Sequence, residues 1–331
     1  FKETAPLIER GLRVSGNSAY PLLFQSIQAR HNSEWEKAQT LATEAYHLDP
    51  ENDLSFIILA DLMIAQGKYH LAFPLYEATL DGGWSHPSLC RRVDSCLINI
   101  RTYDEPEMLQ KAALRYLKSS SLAPTRISPL VSNLLHSSYG NQSVSKLADL
   151  EEACRDELLL KSLKAMLLIN ADLEVFILSA RRLLLGECLN QGAIPDTFLE
   201  LICAIADQHH NTEYIYSEDS DEGATVESLA KVIQNAFLNE ETPLPEIVPL
   251  VVLFSMYRPL VSLECLTRLG ATNIENWPSF FHDHLERTLF DPIEERIIAA
   301  ELPSISKIDD TVSLQVQNQY EENPYPRWLH L

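Results

Sequence analysis

The sequence predicts an all-α protein in which a helix–turn–helix solenoid is followed by a helical domain. Only 10 of the 331 residues are glycine, and so low a content argues against a β-sandwich or a phosphate-binding α/β fold. In most segments apolar residues recur at i, i+3, i+4 and i+7, which is the spacing of one helix face. Near the beginning of the chain, matching residues also recur at a fixed interval. We therefore expect helices throughout and no sheet of three or more strands.

Composition excludes several classes of partner. The chain has 26 Lys and Arg against 47 Asp and Glu, a formal net charge of −21, which repels nucleic-acid phosphates. Its longest apolar run, 247–254, is much shorter than the roughly 20 residues that span a bilayer. The six cysteines lack CxxC or zinc-like spacing, so we interpret them as buried thiols in a reducing compartment. We expect no nucleic-acid partner, no membrane partner and a cytoplasmic location.

The fixed interval is 34 residues, and it relates small residues to small residues and aromatic residues to aromatic residues. The matched pairs are Ser26 with Ala60, Trp35 with Tyr69, and Ala38 with Ala72. This is the period of the tetratricopeptide (TPR) unit, and residues 19–87 resemble two such units. The small residues allow the two helices of a unit to approach closely. The aromatic residues are expected to begin each second helix and to fill the gap above the turn, where Gly67 lies in the second unit.

A third, degenerate unit is expected over residues 88–124. It places Tyr103 in the position of the unit's aromatic residue, with Ala112 and Ala113 after it, although its length differs from the 34-residue period. Three units would form a solenoid in which neighbouring units bury each other's faces. We therefore assign residues 1–125 to TPR-like repeats.

The first helix of each TPR unit lines the concave face of the solenoid. The predicted partner-binding residues on this face are Tyr20, Leu23, Ile27, Arg30, Leu54, Ile57, Asp61 and Ile64. TPR domains that bind a peptide carboxylate carry Asn where this chain has Ile27 and Asp61, so the resemblance disfavours that mode. The mostly apolar face fits either an apolar partner segment or burial against further helices of this chain.

Residues 126–308 are predicted to form a helical accessory domain. The stretch 173–184 has the pattern of an amphipathic helix, with Asp172 as its N-cap and Gly186 near its end. We interpret the acidic run Ser217–Glu222 as a solvated loop before a helix. Further helices are predicted over 129–137, 144–169, 196–208, 225–238, 245–256, 260–268, 278–288 and 292–301.

Prolines mark the clearest predicted break in this part of the chain. Pro243, Pro245 and Pro249 fall within seven residues, and proline disrupts the interior of a helix.

Two histidine clusters, His209–His210 and His282–His284, are the only candidates for a metal site. Adjacent histidines and histidines two positions apart point to different faces of a helix, and no carboxylate lies at ligand spacing. The chain also lacks GxSxG, GxGxxG, GxxxxGK[ST] and HExxH. We therefore predict no catalytic residue and no metal site.

Several sequence stretches within residues 195–331 resemble one family of bacterial proteins. They are Asn211–Tyr214 with the acidic run after it, Tyr257–Leu260, Glu294–Arg296, Leu302–Ile305, Asp309–Ser313 and Val316–Trp328. In that family, TPR repeats and an all-helical region precede a class I S-adenosylmethionine-dependent methyltransferase domain. The resemblance implies that S-adenosylmethionine binds a domain after Leu331 and that this chain itself holds no cofactor.

Residues 309–331 are predicted to be an extended linker to that domain. Its proline and aromatic residues are costly to leave in water, so we expect residues 318–328 to dock on the helical domain and the chain to continue. The predicted interdomain residues are Tyr320, Asn323, Pro324, Tyr325, Arg327 and Trp328.

These observations favour a non-catalytic accessory region that binds a protein or peptide partner and its own methyltransferase domain. The alternative is a free-standing TPR adaptor without a catalytic domain. A helical hydrolase would need buried paired carboxylates, which the sequence does not reveal.

Overall fold

The protein is helical and divides into two compact units. Unit 1 is Phe1–Leu122 and unit 2 is Ala123–Leu331, whereas the sequence analysis ended the repeats at residue 125. The computed structural model describes residues 18–83, 86–100, 106–119, 122–191, 194–239, 242–302 and 310–322. Within these ranges it contains helices and turns but no strand. The predicted all-α fold class is confirmed.

Unit 1 consists of helix pairs in which each helix packs on the next one along the chain. Its helices are α1 (Tyr20–His31), α2 (Trp35–Leu48), α3 (Asp53–Ala65), α4 (Tyr69–Asp81), α5 (Pro87–Asn99) and α6 (Pro106–Ser119).

The small residues of the repeat lie at the helix crossings. Ser26, Ala38, Ala60 and Ala72 are all completely buried. The Ser26 hydroxyl donates a hydrogen bond of 2.7 Å to the Ala38 carbonyl, and so short a contact between α1 and α2 is possible only where no larger side chain separates them. The 34-residue period thus records positions at which two backbones come close.

The two turns within the first two repeats have the same backbone conformation. Ser33 and Gly67, again 34 positions apart, have φ angles of 63° and 73°. This left-handed region favours glycine, so Gly67 lies where the sequence analysis expected it. Trp35 and Tyr69 begin the second helices as predicted. Trp35 does not fill the gap above the turn, because its side chain is 42% exposed.

Ion pairs join the third helix pair, α5 and α6, to the second. Ala112 and Ala113 of α6 are buried. On the same helix, Arg115 Nη1 donates to Glu77 Oε2 of α4 over 3.1 Å, and Glu77 is itself buried. Tyr103 lies outside the described residues.

Unit 2 is built around one central helix. Its main helices are α7 (Ser128–Tyr139), α8 (Glu157–Ala165), α9 (Ala171–Gln191), α10 (Leu199–Asn211), α11 (Ser220–Leu238) and α12 (Leu244–Ser255). Helix α10 is buried on all sides except at Glu200 and His210. It packs against α8, α9 and α12, so polar side chains on α10 must find partners inside the protein.

Several helix boundaries in unit 2 differ from the predictions. The predicted helix 144–169 is instead a 3₁₀ turn followed by α8, which Asp156 caps by accepting from the Leu159 N–H. Asn170, not Asp172, caps α9, because its Oδ1 accepts from the N–H groups of Asp172 and Leu173.

Glycine does not end α9 where the sequence analysis expected, because the helix continues through Gly186 to Gln191. A single glycine costs a helix only about 1 kcal/mol relative to alanine, so it does not end a helix by itself. The proline break does fall between α11 and α12: α11 ends at Leu238 and α12 begins at Leu244, after Pro243, and then runs through Pro249 as the predicted helix 245–256 does.

The end of unit 2 contains short helical elements: α13 (Leu266–Leu269), α14 (His282–Leu285), a π turn (Glu286–Phe290), α15 (Asp291–Glu301) and α16 (Thr311–Glu322). The predicted helices 260–268 and 278–288 are therefore broken by turns.

The predicted extended linker is wrong over α16, which is helical. Asp310 Oδ2 accepts from the Ser313 N–H over 2.8 Å at its beginning, and no glycine or proline interrupts it. Residues 310–319 are exposed, so Asn318 and Gln319 are not docked.

We predict that Ala72→Leu destabilises unit 1 by about 1–3 kcal/mol, because the larger side chain overpacks a completely buried crossing. Denaturant unfolding measures the loss. Ala65→Leu, at an exposed position of α3, is the matched control and should unfold near the wild-type midpoint. Wild-type stability of the Ala72→Leu variant would contradict the assigned register.

Candidate functional site

The predicted concave-face residues separate into buried and accessible groups. Leu23 and Ile57 are buried, and Ile27 and Leu54 pack against the same core. Leu23 and Ile57 are therefore interior residues, whereas Ile27 and Leu54 are half-buried at the edge of that core. The remaining predicted residues are exposed or half-buried: Tyr20, Arg30, Asp61 and Ile64.

Asp61 joins side chains from all three helix pairs. Its carboxylate accepts from the Tyr76 hydroxyl over 2.6 Å and from Arg92 Nε over 2.7 Å. Arg30 Nη1 lies 3.7 Å from its second oxygen. Burial and the neighbouring Asp61 raise the pKa of Tyr76, so the hydroxyl remains a donor. Asp61 therefore binds the repeats together, a role that the sequence analysis missed.

An aromatic face remains on α1. Tyr20 and Phe24, one helical turn apart, are 52% and 48% exposed. Phe24 was not among the predicted residues, although its i+4 spacing from Tyr20 was available in the sequence. The residue equivalent to Phe24 in the second repeat, Ile58, is buried. The aromatic face is thus the surface that a preceding element covers in the second repeat.

In unit 2 the structure brings together stretches that are far apart in sequence. Arg181 of α9 is 1% exposed. Its Nη2 lies 3.2 Å from Glu222 Oε1, and its guanidinium carbon lies 4.5 Å from the centroid of the Tyr257 ring. The Tyr257 hydroxyl donates to the Arg181 carbonyl over 3.2 Å. Arg181, Glu222, Tyr257 and the adjoining His209 form what we call the Arg181 cluster.

Glu222 has a second role at the beginning of α11. Its Oε2 accepts from the Asp219 N–H over 3.1 Å, and Asp219 Oδ1 accepts from the Glu222 N–H over 2.9 Å. This is a capping box. The interpretation of Ser217–Glu222 as a solvated loop is therefore wrong at its end, since Ser220–Glu222 forms the first helical turn and Glu222 is buried.

The turn between α10 and α11 carries backbone strain. Glu213 and Tyr214 are consecutive non-glycine residues with φ angles of 56° and 54°, and each such residue costs of order 1 kcal/mol. The Tyr214 N–H donates to the His209 carbonyl over 2.8 Å, which closes the end of α10. The strained turn returns the chain so that α11 can present Glu222 to Arg181.

His209 is neutral inside the Arg181 cluster. Its Nδ1 lies 3.5 Å from Arg181 Nη1, and its ring is almost completely buried. Burial, followed by the charge of Arg181, lowers the pKa of His209 to about 3, partly opposed by the Met256 carbonyl. A histidine in this state accepts a hydrogen bond but does not exchange a proton near neutral pH.

A second buried cluster surrounds Asp207 of α10. Asp207 Oδ1 lies 2.8 Å from His284 Nδ1 and also accepts from Arg287 Nη2. Cys203, one turn before Asp207, donates to the Phe280 carbonyl over 3.4 Å. Burial raises the pKa of the Cys203 thiol well above its usual value, so this thiol is not an activated nucleophile.

The two histidine clusters of the sequence lie near each other, which sequence reasoning did not find. The ring centroids of His210 and His284 are 6.4 Å apart. Across the described residues, no group of three or more His, Cys, Asp or Glu side chains has an arrangement that could hold a metal ion.

The predicted interdomain residues fall mostly beyond the described part of the chain. Asn323, Pro324, Tyr325, Arg327 and Trp328, as well as the side chain of Tyr320, lie outside the described residues. In the ranges that the structure does describe, none of the helices has the length and apolarity required to cross a membrane.

Comparison of the chain with protein-family models, with curated proteins and with solved structures gives no match.

We predict that Glu222→Gln destabilises unit 2 by roughly 3–5 kcal/mol, because it leaves the buried charge of Arg181 without its opposite charge. Urea unfolding measures the change. Glu227→Gln is the control, since Glu227 pairs with Arg258 at a side chain that is 59% exposed, and its midpoint should stay near wild type. Equal midpoints for the two variants would contradict the central role of the Arg181 cluster.

We predict that His209 makes unit 2 less stable as the pH falls below about 6.5. The folded pKa of about 3 lies below the usual 6.5, so between these values the unfolded chain binds the extra proton and acid favours unfolding. Above pH 6.5 His209 is neutral in both the folded and the unfolded chain, so it adds no pH dependence to the stability there. Urea midpoints from pH 7.5 to 4.5 should fall less steeply in His209→Asn than in wild type. His47→Asn, at an exposed position, should keep the wild-type slope, and an unchanged slope in His209→Asn would contradict the assignment.

Proposed function

We propose that this chain is a non-catalytic interaction region whose TPR-like repeats recognise a protein or peptide partner. The observation that carries the proposal is the aromatic face of α1, with Tyr20 and Phe24 about half exposed. Removing two aromatic rings from water provides a large part of the free energy of a protein interface. Ile58, at the position equivalent to Phe24 in the next repeat, is buried by its neighbours. A partner would cover the aromatic face in the same manner.

The state of the titratable groups in unit 2 supports a non-catalytic role. His209, Asp207 and His284 are buried and engaged with neighbouring side chains of the same unit. Cys203 has a raised pKa, and the pKa of His209 is far below neutrality. General acid–base chemistry instead favours groups that titrate near the working pH and reach a substrate. The Arg181 cluster and the cluster around Asp207 are therefore suited to stabilising the fold of unit 2 rather than to catalysis.

We extend the proposal to a methyltransferase domain of the same protein as a further partner. This extension rests on the resemblance of residues 195–331 alone, and S-adenosylmethionine would bind that domain. The second candidate is a free-standing adaptor, which the aromatic face supports equally well. The reading frame downstream of Leu331 separates them: a strand followed by a glycine-rich loop and a helix favours the methyltransferase, and an immediate stop codon favours the adaptor.

We predict that the double variant Tyr20→Ser/Phe24→Ser loses partner binding at least tenfold while it keeps the wild-type fold. The immobilised chain is incubated with a lysate of the source organism, and bound proteins are quantified by mass spectrometry. Both substitutions are at exposed positions, so the thermal melt should change little.

Leu71→Ser is the matched control, because Leu71 is an equally exposed apolar residue on α4. A partner of the aromatic face should be recovered in wild-type amounts with this control and lost only with the double variant. Identical recovery with all three proteins would overturn the proposal.

A further inference from the structure

An open groove of about 420 Å³ runs along one side of α9 in unit 2, within the size range of small-molecule sites. One wall comes from α9 and the other from the segment after α7. The lining residues are Val144, Ser145, Ser179, Arg182, Leu183, Gly186 and Glu187. None of these lining residues was proposed for binding in the sequence analysis.

Arg182 offers hydrogen-bond donors to the groove. Its Nε lies 3.3 Å from Glu222 Oε2 and 4.0 Å from Asp219 Oδ2. Both of these contacts are closest through Nε rather than through the Nη groups, and the side chain is 52% exposed. Because Nε faces the acidic residues, the two Nη groups at the end of the guanidinium are available to a ligand. A guanidinium binds a carboxylate with two parallel hydrogen bonds through such an end.

The two serines of the groove present acceptors. The Ser179 hydroxyl donates to the Val175 carbonyl over 2.7 Å, and the Ser145 hydroxyl donates to Asp149 over 3.1 Å. Since each hydroxyl has a single proton, the remaining capacity of both oxygens is to accept. Glu187 adds a carboxylate to the same lining. A ligand that fits must therefore carry an acceptor group for Arg182 and donor groups for the two serines.

Gly186 keeps the groove open. It lies inside α9, where glycine costs of order 1 kcal/mol relative to alanine. A Cβ built at this position meets no atom within 4 Å, so packing does not require a glycine there. Ser179, Arg182, Leu183 and Gly186 recur at i, i+3, i+4 and i+7 and share one helix face. A side chain at position 186 would occupy the space beside Arg182.

We propose that this groove binds a free α-amino acid with an uncharged aliphatic side chain. The carboxylate pairs with the Nη groups of Arg182, and the ammonium donates to Ser145 and Ser179 in a groove that also carries the negative charge of Glu187. Val144 and Leu183 contact the aliphatic side chain. A net charge of −21 repels anions such as phosphates and nucleotides, whereas a zwitterion carries no net charge. The groove is thus a small-molecule site separate from the aromatic face of α1.

Calorimetry of the full 331-residue chain tests the site, with L-leucine, L-valine and L-alanine titrated separately. At least one should bind with a 1:1 stoichiometry. For L-leucine the matched probes are 3-methylbutylamine, which lacks the carboxylate, and 4-methylpentanoate, which lacks the ammonium. Each should bind at least tenfold more weakly than the amino acid. Absence of binding by all three amino acids, or equal binding of either analogue, would overturn the proposal.

Two variants locate the site. Arg182→Gln should weaken binding at least tenfold, with Arg155→Gln, at a 77% exposed side chain, as its control.

Gly186→Leu should abolish binding by filling the groove while α9 gains a better helix former, so the variant should unfold at the wild-type denaturant concentration or above. Ala224→Leu, at an exposed position of α11, is its control and should bind as wild type. Normal binding by a folded Gly186→Leu variant would place the ligand elsewhere and overturn the proposal.

Discussion

The arrangement of unit 2 depends on the pairing of one buried charge, that of Arg181. A guanidinium removed from water costs several kcal/mol unless an opposite charge accompanies it, and Glu222 supplies that charge. Glu222 reaches Arg181 only because α11 begins at Ser220 and Asp219 caps it. The strained turn at Glu213 and Tyr214 returns the chain to that point. One ion pair therefore fixes the relation of α9, α10 and α11.

Unit 1 is held together by a different constraint, the absence of side-chain bulk where helices cross. Alanine and serine at the crossings bury little apolar surface of their own, but they let whole helices come into contact. Asp61 adds directional polar contacts to this packing, because its carboxylate interacts with donors from α1, α4 and α5. Close approach sets the spacing of the helices, and the shared carboxylate ties the repeats to one another.

The sequence predicts a feature well when its pattern is visible along the chain, and poorly when the feature depends on contacts between residues that are far apart. The repeat, its small residues and Gly67 could be recognised, because a fixed 34-residue interval and a turn glycine are visible in the sequence itself. Glu222 could not be recognised, because an acidic run is normally solvated and its buried partner is 41 positions away. For the same reason the shared role of Asp61 was missed, since its partners come from three helices. In the tail, the prolines at 324 and 326 suggested an extended chain, but α16 ends before them.

The candidate sites show the same difference between patterns that are visible in the sequence and contacts that only the fold creates. The concave face was predicted from helix periodicity alone, which does not distinguish a residue facing a partner from one facing the next repeat, and Leu23 and Ile57 proved to be buried. Gly67 and Gly186 differ in whether the backbone conformation explains the glycine. Gly67 is favoured by its positive φ angle, which Ser33 shares in the first repeat, so its identity is explained by the fold. Gly186 has an ordinary helical backbone and open space around it, so the fold would be more stable with alanine there. Gly186 therefore lacks the backbone explanation that Gly67 has, and the groove proposed beside Arg182 would give it a use other than folding.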